Sequence, residues 1–432
     1  MEKPKHIIFA NTAEAFEDIL NSASGSEEGQ KRIRHELALS QRAFFWEGDN
    51  KIVITPTPIP RELFELNSNL LGNKNTLNYS PNSNSLNLSK PTKNQAFLGY
   101  ISGVKELQFS PYAITQSFLD LLQFLTENGI KTTADSLPKT KGYNLVKYLD
   151  SKSGFRKEIE RFSDGGVFIP KGFICQTLED LRNKINYFKV NNKNFVVKAD
   201  QGESGWGLII SQNNQPTLDE ILYQVSTETI WANGPYIVEE FIEVDASAGG
   251  GTSSTELFVT DSEVRVTYLC GQVVENGEFQ GTIVGKDALP DNVAEEITRS
   301  GIVIGKHYQS LGYRGIFDID YVISKTGAIF AVETNARRTG GTHVYDLARR
   351  LFGEYFINHC FVSNDHFEYK KDFDSISSLL TRISSVLYSK DTQSGIVITL
   401  INEIDRVLGY ISIGKDPDEA NKFADKLKNL LS

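Results

Sequence analysis

The stretch Gly315-Ile-Phe-Asp318-Ile-Asp320-Tyr-Val-Ile-Ser-Lys-Thr-Gly-Ala-Ile-Phe-Ala-Val-Glu333-Thr-Asn335-Ala-Arg337-Arg338 is two apolar runs joined by a turn at Ser324–Gly327. β-Branched and aromatic residues dominate both runs, so each reads as a strand, and the short turn makes them an antiparallel hairpin. Asp320 lies near the start of the first strand, Glu333 and Asn335 at the end of the second. In such a hairpin those ends are adjacent, and Glu333 and Asn335 share a face because strand side chains alternate with period two. Three oxygen donors on one face, beside Arg337, suit Mg²⁺ held together with substrate phosphates. A polar strand end facing water is the plainer alternative. It does not explain why two apolar strands finish together in Asp, Glu, Asn and Arg.

Two more segments lie upstream. Phe195-Val-Val-Lys198-Ala-Asp-Gln-Gly202-Glu-Ser204-Gly205-Trp206-Gly207-Leu-Ile-Ile is a strand ending in a lysine, a glycine loop and a returning strand. Glycines let backbone N–H groups approach phosphate oxygens, and Lys198 would neutralise them. A glycine-rich hairpin with a surface lysine is the alternative. In Tyr236-Ile-Val-Glu239-Glu240-Phe241-Ile242 an apolar strand turns acidic and then apolar again.

The remaining chain supplies elements around these. His6–Asn11 and Lys51–Thr55 read as strands, Glu27–Phe45 and Ala113–Asn128 as helices, an alternation expected of a small α/β domain. Residues 67–95 are rich in Asn, Ser, Leu and Lys and read as an exposed or poorly ordered loop; an ordinary connection with locally docked leucines is the alternative. Ser151–Phe162 and Thr177–Phe188 read as helices, and Asn292–Gln309 as one helix in the strand-rich stretch Pro235–Arg338. Gly395–Leu400 and Val407–Ile413 read as strands before a helix at Pro417–Leu431. Gly409-Tyr-Ile-Ser-Ile-Gly414-Lys415-Asp416 nearly spells a P-loop, but Asp416 stands where Ser or Thr would bind the metal, and the interior reads as a strand.

Composition narrows the function classes. The 432 residues carry a net charge of −10, which argues against a broad electrostatic grip on nucleic acid or anionic lipid. Cys175, Cys270 and Cys360 are scattered and odd in number, so neither a disulfide framework nor a zinc site is expected. No stretch approaches the 18 or so apolar residues of a membrane span. A reduced, cytoplasmic protein is the expectation.

In order and spacing, the three segments resemble the ATP-grasp superfamily over roughly residues 140–355. The resemblance implies an α+β fold in which two α+β subdomains clasp ATP. It implies an N-terminal α/β domain at 1–140, the ATP-grasp domain at 141–358 and a small α+β cap at 359–432. Lys152 and Lys198 would contact the phosphates. Gly202, Ser204, Gly205, Trp206 and Gly207 would form the flap above them. Glu239, Glu240, Phe241 and Ile242 would be the hinge whose backbone pairs with adenine. Glu256 would meet the ribose, with Asp245 as competitor because the loop Val244–Ser254 is longer than usual. Asp320, Glu333 and Asn335 would hold Mg²⁺, two ions, with Mn²⁺ as a substitute. Asp318 adds a carboxylate that many relatives lack.

Asn335-Ala-Arg337-Arg338-Thr339-Gly340-Gly341-Thr342-His343 is similar to the post-triad loop of the pheganomycin-type peptide ligases. This implies an ATP-dependent, ADP-forming carboxylate–amine ligase acting on amino acids or short peptides through an acylphosphate. Its catalytic residues would be Lys198, Arg337 and His343. Arg337 would stabilise the carboxylate and the tetrahedral oxyanion, Arg338 pointing the other way. His343 would position the acceptor or take its proton, a structural histidine being the alternative. The partners implied are a small-molecule acid and amine, with a homodimer as the assembly. The competing activities are a bicarbonate-activating carboxylase of the same superfamily and an ATP-binding sensor without turnover.

Overall fold

The structure, a computed structural model, describes residues 4–138, 142–161, 166–202, 205–232, 234–247, 249–275 and 278–432. The strands in chain order begin with β1 His6–Phe9, β2 Lys51–Ile54, β3 Leu77–Tyr79, β4 Glu106–Pro111 and β5 Lys131–Ala134. Next come β6 Gly172–Cys175, β7 Phe195–Ala199, β8 Leu208–Ser211, β9 Tyr236–Glu240, β10 Thr252–Val259 and β11 Val264–Glu275. The last are β12 Glu278–Gly285, β13 Gly315–Ile323, β14 Ile329–Asn335, β15 Cys360–Glu368, β16 Gly395–Asn402 and β17 Val407–Gly414. The chain forms two compact units. One comprises residues 1–137, 280–288 and 338–432; the other, residues 138–279 and 289–337.

Unit one contains a parallel sheet in the order β3-β2-β1-β4-β5. β1 and β2 are short, apolar and almost wholly buried, as parallel strands covered on both faces must be. Phe9 packs on Phe109 and on Phe118 of the helix Gln116–Glu127. Thr115 caps that helix by accepting from the Phe118 N–H, and Gly129 follows it at φ +79°.

Residues 67–95 are not an open loop. They contain the end of the helix Arg61–Leu71, the edge strand β3 and the short helix Ser89–Thr92, with Leu86 and Leu88 buried. The asparagines that suggested disorder replace backbone partners. Asn78 donates to the Val53 carbonyl and accepts from the Ile59 N–H, and Asn87 donates to Glu17 and Ser117.

The antiparallel strands of unit one run in the order β12-β15-β17-β16. The last segment, expected to form its own domain, packs instead with the N-terminal residues. All eight residues of β16 are buried, with the helices Glu27–Leu39 and Arg61–Leu71 against it. Gln41 exchanges two bonds with the Ile401 backbone, and Asn67 donates to the Ile398 carbonyl. The near-P-loop is strand β17, and Asp416 caps the helix Pro417–Leu431 by accepting from the Glu419 N–H.

Arg338 belongs to unit one and is 2% exposed. It donates to Pro111 O (2.5 Å) and Asp135 Oδ2 (2.6 Å), and its guanidinium lies over the Trp46 ring. His343, on the helix Thr342–Phe352, is also buried here, its Nε2 3.8 Å from Asp365 Oδ1. Arg42 holds the other oxygen of Asp365 at 2.7 Å. Burial lowers the His343 pKa to about 4, against the pull of Asp365.

Unit two contains two antiparallel groups. One is ordered β6-β9-β7-β8 and packs Phe195, Val197 and Val238 on the helices Leu178–Val190 and Leu218–Thr227. The other is ordered β14-β13-β10-β11 and is backed by the helix Asp291–Ser310. Gly305 on that helix admits the close approach, since a Cβ there would lie 2.5 Å from Val264 Cγ1.

The buried histidines yield a stability test. Burial lowers His35 to about 3 as well. Both rings are neutral when folded and take protons when unfolded, so the unfolded state binds more protons below the ordinary value of 6.5. Unfolding free energy is therefore expected to fall as pH drops from about 6.5 to about 4, by on the order of 3 kcal/mol for His343 alone. Urea unfolding across that range should show a shallower fall for His343→Gln; an identical slope would refute the assignment.

Candidate active site

The site is assembled within unit two from three local structures. The first is the β13–β14 hairpin. Its register sets Asp320 opposite Glu333 and Asp318 opposite Asn335, so all four lie on one face. Asp320 is mid-strand rather than near the start. Asn335 Nδ2 donates to Asp320 Oδ2 (3.0 Å), and Arg337 Nη1 donates to Asn335 Oδ1 (2.9 Å).

The second is the start of the helix Lys152–Glu160. Ser151 caps it by accepting from the Gly154 N–H. Asp200, just after β7, ties the helix start down by accepting from Lys152 N and Ser153 N. Lys152 Nζ thereby reaches Glu333 Oε2 at 2.9 Å and Gly202 O at 3.4 Å. The third is the β7–β8 hairpin with β9 beside it. Lys198 Nζ pairs with Glu239 Oε2 at 2.8 Å, and Arg156 Nη2 takes Glu239 Oε1 at 2.8 Å.

These groups converge on a cavity of about 310 Å³. Lys152, Lys198, Gln272, Asp320 and Glu333 line its charged part. Val196, Leu208, Ile210, Ile242, Val274 and Val332 give it apolar walls. The flap residues Gly202, Gly205, Trp206 and Gly207 also line it, whereas Ser204 falls outside the described residues. The glycines are sterically required at two positions. A Cβ on Gly202 would lie 2.3 Å from Trp206 O, and Gly207 has φ +73° with Ala199 Cβ only 2.7 Å from its missing Cβ. At the hinge Glu240, Phe241 and Ile242 line the cavity, with Glu240 N donating to Lys171 O and Phe241 N to Asn194 O.

Burial pushes all the site carboxylates up, and their neighbours decide the outcome. Lys152 and Lys198 overcome burial and hold Glu333 below the usual range; Lys198 and Arg156 do the same for Glu239. Among the described residues Asp320 has no lysine partner. Burial, then Glu333, push its carboxyl up to about 7. Burial, then Asp320 and Glu256, raise Asp318 well above the usual carboxylate range as well. The oxygen set Asp320, Glu333 and Asn335 therefore has a deficit of positive charge that a hard cation would relieve, and all its donors are of the type Mg²⁺ takes. Among the described residues no group of three or more His, Cys, Asp or Glu is arranged to hold a metal.

Five expected residues are not among those that line the cavity: Asn335 and Arg337, which follow Glu333 at the end of β14 and just beyond it, and Glu256, Asp245 and His343. Glu256 is 1% exposed on β10, where Thr267 Oγ1 donates to it and Asp318 lies opposite. Asp245 instead accepts from the N–H and hydroxyl of Ser247. His343 is buried in the other unit. Conversely, Arg156 and Gln272 were not expected. The acidic turn at Glu239 in an apolar strand demanded a buried cation and was the available signal for Arg156. Nothing local marks Gln272.

No family model matches the chain. It is 27% identical over 211 residues to a [butirosin acyl-carrier protein]–L-glutamate ligase from Niallia circulans, covering 47% of this chain and 46% of that protein. It is 24% identical over 216 residues to an L-propargylglycine–L-glutamate ligase from Streptantibioticus cattleyicolor, covering 45% and 43%. The match thus spans under half the length of each relative. The structure is similar to a biotin carboxylase–β,γ-ATP complex from Campylobacter jejuni, at a TM-score of 0.62 and 13% identity, covering 100% of this chain and 92% of that one. With Lys152, Lys198, the flap glycines, Asp320 and Glu333 lining one cavity, this likeness identifies the fold as ATP-grasp.

Proposed function

We propose that the chain is an ATP-dependent, ADP-forming carboxylate–amine ligase. The observation that carries this is the cavity in which Lys152 and Lys198 stand beside Asp320 and Glu333 at one end of apolar walls. Apolar walls suit a flat base, and the charged end suits phosphates with their cation. A substrate carboxylate oxygen attacks the γ-phosphorus, the bond to the β,γ-bridging oxygen breaks, and ADP leaves. The amine then adds to the acyl carbon of the acylphosphate and phosphate departs, leaving an amide and a proton.

The protein's part is positioning and charge. Lys152 and Lys198 exchange their carboxylate partners for phosphate oxygens. Asp320, Glu333 and Asn335 would hold Mg²⁺, which when bound offsets charge on the phosphates. Mn²⁺ is the natural substitute, and two ions fit the usual phosphoryl-transfer pattern. The flap glycines bring backbone N–H groups to the same oxygens, and the hinge backbone at Glu240–Ile242 meets the base. Arg337 stabilises the substrate carboxylate and the tetrahedral oxyanion, its planar fork matching two oxygens better than an ammonium does. His343, buried within unit one beside Asp365, is given no part. Both curated relatives carry L-glutamate in their names, so amino acids, glutamate first, are the substrates to test. A bicarbonate-activating carboxylase is the second reading, favoured by the likeness to biotin carboxylase. Bicarbonate-dependent ADP formation would select it.

Amino acids and short peptides should elicit ADP release, with mass spectrometry showing the amide. Glu333→Gln is expected to reduce that release at least a hundredfold per folded molecule, since the metal ligand that also pairs with Lys152 loses its charge. Near-normal turnover would remove the metal assignment.

Arg337→Lys should leave ATP affinity almost unchanged and lower turnover by a factor on the order of a hundred. Arg338→Lys should instead cost stability, about 1–3 kcal/mol for the lost bonds to Pro111 O and Asp135, with turnover per folded molecule little altered. Rates and denaturation midpoints for both variants, side by side, decide this; the reverse pattern would contradict it.

A further inference from the structure

Gln272 lies on β11, and β10 separates it from the β13 strand that carries Asp320. Its Nε2 nevertheless donates to Asp320 Oδ1 at 2.5 Å. The reach is possible because the residue between is small. Ser254 on β10 sits opposite Cys270 on one side and Asp320 on the other. Its hydroxyl is turned to Asp318 Oδ2 at 3.0 Å, leaving the space above it to the glutamine.

Asp320 is thus held twice, by Gln272 at Oδ1 and by Asn335 at Oδ2. Each oxygen keeps a lone pair for a cation, while the carboxylate cannot rotate. An amide supplies the donor without adding charge to a face that already carries Glu256, Asp318, Asp320 and Glu333. We propose that Gln272 is a positioning residue of the metal site: through the Nε2–Oδ1 bond it fixes the orientation in which Asp320 meets the ion. The proposal rests on the nucleotide-and-metal reading of the cavity.

The probe is Mn²⁺, its free concentration followed by electron paramagnetic resonance, with and without a non-hydrolysable ATP analogue. Outer partners of metal ligands typically contribute 10–100-fold to metal affinity. Gln272→Ala and the isosteric Gln272→Glu are each expected to weaken Mn²⁺ binding about tenfold or more. Metal-free analogue affinity should stay unchanged in both, and the unfolding midpoint in Gln272→Ala. Were Gln272 a direct ligand through its oxygen, Gln272→Glu would bind Mn²⁺ more tightly; tighter binding there, or unchanged affinity in both variants, overturns the proposal. Failure of the parent chain to take up Mn²⁺ with the analogue would instead remove the reading of the cavity beneath it.

Discussion

The structure depends on the pairing of charges around one cavity. Lys152 meets Glu333, Lys198 and Arg156 meet Glu239, and Asp320 is left with amide donors only. An unpaired lysine or carboxylate at this depth would cost several kcal/mol, so each must have a partner before substrate arrives. The pairs are exchangeable. A polyphosphate offers the lysines new anions, and a divalent cation offers Glu333 and Asp320 a new positive partner. Binding can therefore replace one set of ion pairs by another without leaving a charge stranded. Arg156 has a different part. Nη2 also holds the Pro170 carbonyl, so Glu239 keeps a cation when Lys198 turns to phosphate.

The fold serves this exchange by placing each charge on a rigid element. Lys198 is in the all-buried strand β7, and Lys152 begins a capped helix tied to Asp200. The carboxylates stand cross-strand on β13 and β14, where register fixes their separation. The glycine loop needs its glycines because side chains at Gly202 and Gly207 would strike Trp206 O and Ala199. Arg337 and Arg338 are adjacent yet have opposite tasks. The first extends the hydrogen-bond line through Asn335 to Asp320. The second is bound to Pro111, Asp135 and Trp46 in unit one.

What was legible in the sequence was local. The β13–β14 hairpin, the β7–β8 glycine loop and the capped helices each carry their instructions within about twenty residues, and the structure has them where the patterns put them. Asp320 and Glu333 fell together because hairpin geometry constrains them directly, and Lys198 ends the strand before its glycine loop; Lys152, on a helix, came only from the resemblance to ATP-grasp enzymes. Tertiary partnerships were not legible. The asparagines of residues 67–95 looked like solvent-exposed linker until the backbone groups they replace were known. The terminal strands looked like a separate cap because nothing in β16 announces that Asn67 and Gln41 will bond to it. His343 followed a glycine pair in a chemically suggestive run, but the chain there has already entered a helix that turns the ring toward Asp365. Glu256 was displaced by register. It faces Asp318 across two strands, where no sequence spacing could have put it.

The central claim is that this cavity activates a carboxylate by phosphoryl transfer. The direct measurement is the fate of carboxylate oxygen. Amino acids and short peptides labelled with ¹⁸O in their carboxyl groups would be incubated with the protein, ATP and Mg²⁺, and the released phosphate analysed by mass. An acylphosphate that yields to an amine leaves one substrate oxygen on phosphate, so the account predicts one ¹⁸O per phosphate, in step with amide formed. ADP formation with unlabelled phosphate would mean that water or bicarbonate, not the substrate carboxylate, receives the phosphoryl group, and would contradict it.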